Sequence, residues 1–160
     1  MPFKFNPFTD KLDVVDSAGN VPTYSTGTWT PTIAGATVAG TPTYASRTGA
    51  YSQIGNVIFC QFFISLTSLA GASGNAVVGG LPFTVNNALG FDPIVQIWNS
   101  GSSLSATNPA FGLGIQLTHN TQQGLIVIDN AQLTNSIDIQ DISTLIQGGD
   151  MFWGSFFYMM

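Results

Sequence analysis

The stretch GAYSQIGNVIFCQFFISLTS, residues 49–68, decides the fold. Gly55-Asn56 separates two strand-like runs, and this dipeptide tolerates the positive φ angles of the two-residue turns whose twist matches paired strands. The spacing predicts a β-hairpin with arms 51–54 and 57–68. In the second arm Ile58, Cys60, Phe62, Ile64 and Leu66 recur with the strand period of two and share one face, which reads as core. The opposite face carries Val57, Phe59 and Phe63 among Gln61, Ser65 and Thr67, so it is half apolar as well.

The same pattern continues outward. From Trp29 onward short apolar runs alternate with clusters of Gly, Asn, Ser and Pro, the spacing of an all-β domain. Residues 94–98, 125–128 and 151–159 are again apolar on both faces; in the last, Phe152, Phe156 and Tyr158 oppose Met151, Trp153, Phe157 and Met159. One sandwich buries one face of each sheet. A second contact surface is therefore expected, and Val57, Phe59, Phe63, Phe152, Phe156 and Tyr158 are assigned to a subunit interface. Residues 25–160 are read as an antiparallel β-sandwich of jelly-roll type. The best helical segment is 141–147, with Asp141 as N-cap and Gly148-Gly149 as its stop.

Composition supports this class. The chain has 160 residues, enough for one domain plus an arm, and only 7% are charged. Glu is absent, and Ser, Thr, Gly and Asn occupy positions where helical proteins carry charge. Mean hydropathy is positive although no run resembles a membrane helix, so an oligomer is expected to absorb the excess apolar surface. The net charge of −5 sets eight Asp against Lys4, Lys11 and Arg47. That balance argues against a nucleic-acid groove. A single cysteine excludes an internal disulfide and suits a reducing compartment, and the start MPFKFNPF does not read as a signal peptide, so assembly in the cytosol is expected.

Residues 1–24 differ from the rest, holding two of the three cations and an aromatic cluster, Phe3, Phe5 and Phe8. Asn6-Pro7 favours a turn, and Pro2 and Pro22 resist helix. The segment reads as an extended arm laid on another surface, with a frayed terminus as the alternative.

The chemical inventory is thin. Nucleophilic catalysis would have to use Cys60 and His119, but Cys60 falls on the inward face and His119 closes a strand before a polar loop. Asp129, Asp138 and Asp141 show no spacing that compels a carboxylate pair for glycoside cleavage. Neither metal-ligand clusters nor a phosphate-binding loop is present, so no enzyme, metal or cofactor is expected. Trp98 reads as a core residue at a strand end or, with Asn99 and the loop residue Asn120, as a contact for a glycan.

Two segments carry a resemblance. FNPFTDKLDVVD, residues 5–16, resembles a short N-terminal motif of phage tail fibres and other small virion proteins. GTWTPT (residues 27–32), then Gly49, Tyr51, Ile54-Gly55-Asn56 with the following apolar strand, and Gly80-Leu81-Pro82-Phe83 together resemble a phage fibre-type C-terminal domain. The resemblance implies a homotrimeric β-sandwich on a virion surface and does not imply catalysis. No long shaft separates arm from body, so the leading expectation is a capsid decoration, or cement, protein. Phe3, Phe5, Phe8, Leu12 and Val14 would then anchor it to the major capsid protein or another virion protein, with Lys4, Lys11, Asp10, Asp13 and Asp16 at the rim. The alternative is a short tail fibre that binds a host surface glycan. In either case the expected place is the virion surface after assembly in the bacterial cytoplasm, with no membrane partner.

Overall fold

A computed structural model of the chain describes residues 3–7, 11–14, 22–87, 92–100, 113–130, 136–139 and 148–160. Its strands are β1 (Phe3–Asn6), β2 (Lys11–Val14), β3 (Tyr24–Trp29), β4 (Thr32–Gly35), β5 (Thr43–Ile54), β6 (Val57–Ser68), β7 (Ala76–Gly79), β8 (Ile94–Ser100), β9 (Leu113–Leu117), β10 (Gln123–Asn130), β11 (Ser136–Ile139) and β12 (Met151–Met159). The hairpin expected at Gly55-Asn56 joins β5 to β6, and Gly55 takes a φ of +61°, the left-handed region that its missing Cβ permits. Gln53 locks the turn from inside. Its amide donates to the Gly55 carbonyl at 2.9 Å while its oxygen accepts from the Ser25 hydroxyl at 2.9 Å, so this buried polar side chain is satisfied. The inward face of β6 is the one expected: Ile58, Cys60, Phe62, Ile64 and Leu66 are all buried.

Ten strands form one antiparallel sheet in the order β3-β5-β6-β12-β8-β9-β10-β7-β4, with β11 also on β10. β8 is the corner. It pairs with β12 through Trp98, Asn99 and Ser100, and with β9 through Ile94, Val95, Gln96 and Ile97. The sheet curls there, and its two halves close on a single core in which Ile58, Ile64 and Phe152 meet Ile33, Val78, Ile115 and Ile126. The all-β antiparallel expectation holds, but one curled sheet stands in place of the two separate stacked sheets of a jelly roll.

The three short motifs converge on this core. Trp29 packs its ring against Phe62 and Phe156 at centroid distances of 6.1 and 6.4 Å, and its indole N–H is shared between the carbonyls of Ala50 at 3.3 Å and Gln61 at 3.2 Å. A Cβ on Gly49 would lie 2.5 Å from that indole nitrogen, so glycine is required for the close approach. Phe83 meets Tyr51 edge-on at 5.3 Å, and the Tyr158 hydroxyl both accepts from the Phe83 N–H at 3.1 Å and donates to its carbonyl at 3.0 Å. Tyr44 holds Ile33 in the same two-handed way, at 2.9 and 3.2 Å. These residues brace the curl.

One expectation changes and another gains detail. Phe152, Phe156 and Tyr158 are core, not interface: they pair in register with the inward residues Ile64, Cys60 and Ile58, and directly opposed residues of paired strands share a face. Within the N-terminal segment expected as an extended arm with a turn at Asn6-Pro7, β1 and β2 pair as an antiparallel ribbon that sets Phe3 opposite Val14, Lys4 opposite Asp13 and Phe5 opposite Leu12. Among the described residues the ribbon pairs with no strand of the large sheet. Phe8, Asp10, Asp16 and the helical segment expected at 141–147 lie outside the described residues.

Candidate functional site on the outer face of the sheet

The outer face of β3, β5, β6, β12 and β8 can be read in rows across the strands. The first row runs Tyr24, Ile54, Val57, Met159, and the second runs Thr26, Ser52, Phe59, Phe157. Next come Thr28, Ala50, Gln61 and Ser155, a row of small and polar side chains. The row beyond it, Thr48, Phe63, Trp153, Trp98, is aromatic again. Tyr24, Ile54, Phe59, Phe157, Trp98, Trp153, Met151 and Met159 are all exposed, Phe157 and Trp98 by 64% and 66%. Val57 and Phe63 are half-buried by their neighbours.

This face therefore has three zones. An apolar cluster lies at one end, where the Phe59 and Phe157 rings stand 6.0 Å apart. A polar belt crosses the middle. A second aromatic cluster, Phe63 with Trp153 and Trp98, lies beyond the belt. The belt opens into a furrow of about 330 Å³ beside β8, lined by Gln61, Gln96, Trp98, Trp153, Gly154 and Ser155. Its cause is the strand pairing: β8 runs with β9 as far as Ile97 and joins β12 only from Trp98 onward, so ahead of Trp98 it stands apart from β12 beside Gly154 and Ser155.

The residues proposed for glycan contact separate. Trp98 is on the surface rather than in the core, because Ile94, Gln96 and Trp98 form the outer side of β8 while Ile97 points inward. Asn99 pairs its backbone with Phe152. Asn120 occupies the β9–β10 turn at a φ of +58°, at the opposite end of the β8–β9 ladder from Trp98. Gln96, Gln61 and Trp153 stand beside Trp98 instead. The visible signal was the polar Gln96 between Ile94 and Trp98, which marks that side of the strand as the wetter one.

The reactive side chains are disposed otherwise. Burial pushes the Cys60 thiol up to about 12, which makes it a poor nucleophile. His119 faces Asp92: Oδ1 accepts the His119 backbone N–H at 2.9 Å and lies 2.5 Å from its ring Nδ1. The backbone N–H, more than the imidazole, holds the Asp92 carboxyl below its usual range. The pair ties the turn after β9 to the entry of β8. Among the described residues no group of three or more His, Cys, Asp or Glu side chains could hold a metal ion, and no helix is long and apolar enough to cross a membrane.

No protein-family model matches this chain, and no curated protein matches it. Its fold has a counterpart among solved structures. The Dettilon tailspike protein superimposes with a TM-score of 0.65 and 19% sequence identity, over 85% of this chain and 24% of the tailspike chain. The chain thus spans about a quarter of the length of that protein. At this identity the likeness is one of fold.

Proposed function

We propose that the chain is a non-enzymatic structural protein of a bacteriophage virion surface, a homotrimer whose subunits associate through the apolar end of the outer face. The observation that carries this reading is the exposed cluster Tyr24, Ile54, Phe59, Phe157 and Met159, contiguous across four paired strands and free of charged side chains. At roughly 25 cal/mol per Å² of apolar surface, covering several such side chains contributes several kcal/mol per contact. A chain of net charge −5 meets its own copy most easily over a neutral patch. The fold shared with a tailspike and the fibre-type motifs in the sequence support the virion setting.

Two placements on the virion differ in what they require. The tailspike likeness favours a tail appendage that contacts the host surface. A capsid decoration role draws instead on the short N-terminal ribbon, where Phe3 and Phe5 are exposed and suited to docking on the major capsid protein. Copy number in purified virions separates them. A band comparable to the major capsid protein assigns decoration, a trace band assigns the tail, and absence from virions rejects both.

A further inference from the structure

We infer that the furrow beside β8 is a binding site for a neutral oligosaccharide, with Trp98 and Trp153 as stacking platforms and Gln61, Gln96 and Ser155 as hydrogen-bonding groups. The inference rests on the subunit contact occupying the Tyr24–Phe157 end of the outer face, which leaves the Trp98 end open. Its residues are of the right kinds. A pyranose ring offers an apolar face of C–H groups and a rim of hydroxyls that both donate and accept. The two tryptophans supply large apolar surfaces, Trp98 with 66% of its area still exposed. Glutamine amides carry a donor and an acceptor side by side, the complement of neighbouring hydroxyls, and Ser155 adds a hydroxyl of its own.

The shape also fits an elongated ligand. Gln61 also borders a second depression of about 180 Å³ over Ala50 and Ser52, which ends against Phe59 of the proposed subunit contact. The trough therefore crosses several strands. Charge then selects among sugars. Among the described residues, neither depression is lined by an ionisable side chain other than the Tyr51 hydroxyl, which borders the second. Of the three cations, Lys4 and Lys11 belong to the β1–β2 ribbon, and Arg47 stacks over the Tyr44 ring at 4.4 Å. An acidic glycan would find no cationic partner for its carboxylate among the described residues of the furrow, in a chain that is already anionic. A purely apolar partner surface would leave the belt amides without hydrogen bonds, whereas hydroxyls satisfy them.

The test applies the full-length protein to an array of neutral and uronic-acid-containing oligosaccharides, with sedimentation of each variant run in parallel. The expected result is retention on neutral glycans, weakened about tenfold or more by Trp98→Ala and by Gln61→Ala, with sedimentation unchanged. Because Trp98 and Trp153 line the furrow while Trp29 is buried, the bound sugar also shifts tryptophan emission, and that shift shrinks in Trp98→Ala. Retention of no neutral glycan, preference for acidic glycans, or equal binding by both variants overturns the inference. If Trp98→Ala instead dissociates the oligomer, the furrow is a subunit contact and the inference fails while the oligomer proposal survives. If only Phe157→Asp fails to dissociate it, the oligomer proposal fails and the glycan result stands by itself.

Discussion

Tyr158 shows how single residues hold the curl of the sheet. Its hydroxyl satisfies both backbone groups of Phe83. Tyr158→Phe keeps the ring in the core but strips both partners from Phe83, so a loss of about 1–3 kcal/mol is expected, measured as a lower urea midpoint. Cys60 makes a pH prediction. Burial raises its thiol from 9.0 to about 12, and burial also pushes the Tyr158 hydroxyl upward, so the unfolded chain releases these protons first. Their contribution to stability should accordingly be flat with pH below about 9 and fall as pH rises from there toward 12, with a shallower fall in Cys60→Ala. In native protein at neutral pH the thiol should resist a maleimide that labels it on unfolding. The inward position of Cys60 was readable because Gln61, Ser65 and Thr67 mark the opposite face of its strand as the more polar one, although Val57, Phe59 and Phe63 share it. β12 offers no such contrast. Met151, Trp153, Phe157 and Met159 on one side are as apolar as Phe152, Phe156 and Tyr158 on the other, and only Ser155 marks the outer one. Periodicity groups such residues correctly but cannot say which group faces in.

At the level of elements, the β5–β6 hairpin was legible because its signal is local: a Gly-Asn turn with φ-permissive residues between complementary runs. The place of β12 was not. It lies between β6 and β8, pairing Met159 with Val57 across more than a hundred residues of chain, and no local preference encodes that choice. The furrow depends on this long-range pairing, so its residues came together only in the structure. The N-terminal ribbon was half legible: Asn6-Pro7 marked the turn, while the pairing of Lys4 with Asp13 and Phe5 with Leu12 was visible only in the structure. A two-stranded ribbon is marginal alone and gains from a partner surface. Deleting residues 1–20 is expected to leave the body folded and oligomeric, since β3 begins at Tyr24, while abolishing incorporation into particles. The truncated protein's circular dichroism and its presence in purified virions check both halves of that expectation.

For the whole molecule, much of the excess of apolar surface evident in a positive mean hydropathy gathers on one face. The core accounts for one side of the curled sheet, and the outer face of β3, β5, β6 and β12 carries Tyr24, Ile54, Phe59, Met151, Trp153, Phe157 and Met159, with Phe3 and Phe5 of the ribbon exposed apart from it. The neutral, aromatic character of this face suits the proposed self-association of an anionic chain, and the polar belt divides the proposed subunit contact from the proposed ligand furrow. Phe157 is the most direct probe, being exposed by 64% and paired with Phe59 at the centre of the contact zone, so replacing it leaves the core untouched. Sedimentation equilibrium of the full chain at micromolar concentration, with and without Phe157→Asp, reads the result. The expected outcome is a trimer of the 16.9 kDa chain that falls to a folded monomer in the variant. A wild-type protein that sediments as a monomer, or a variant that stays trimeric, contradicts the assignment of this face to subunit contact.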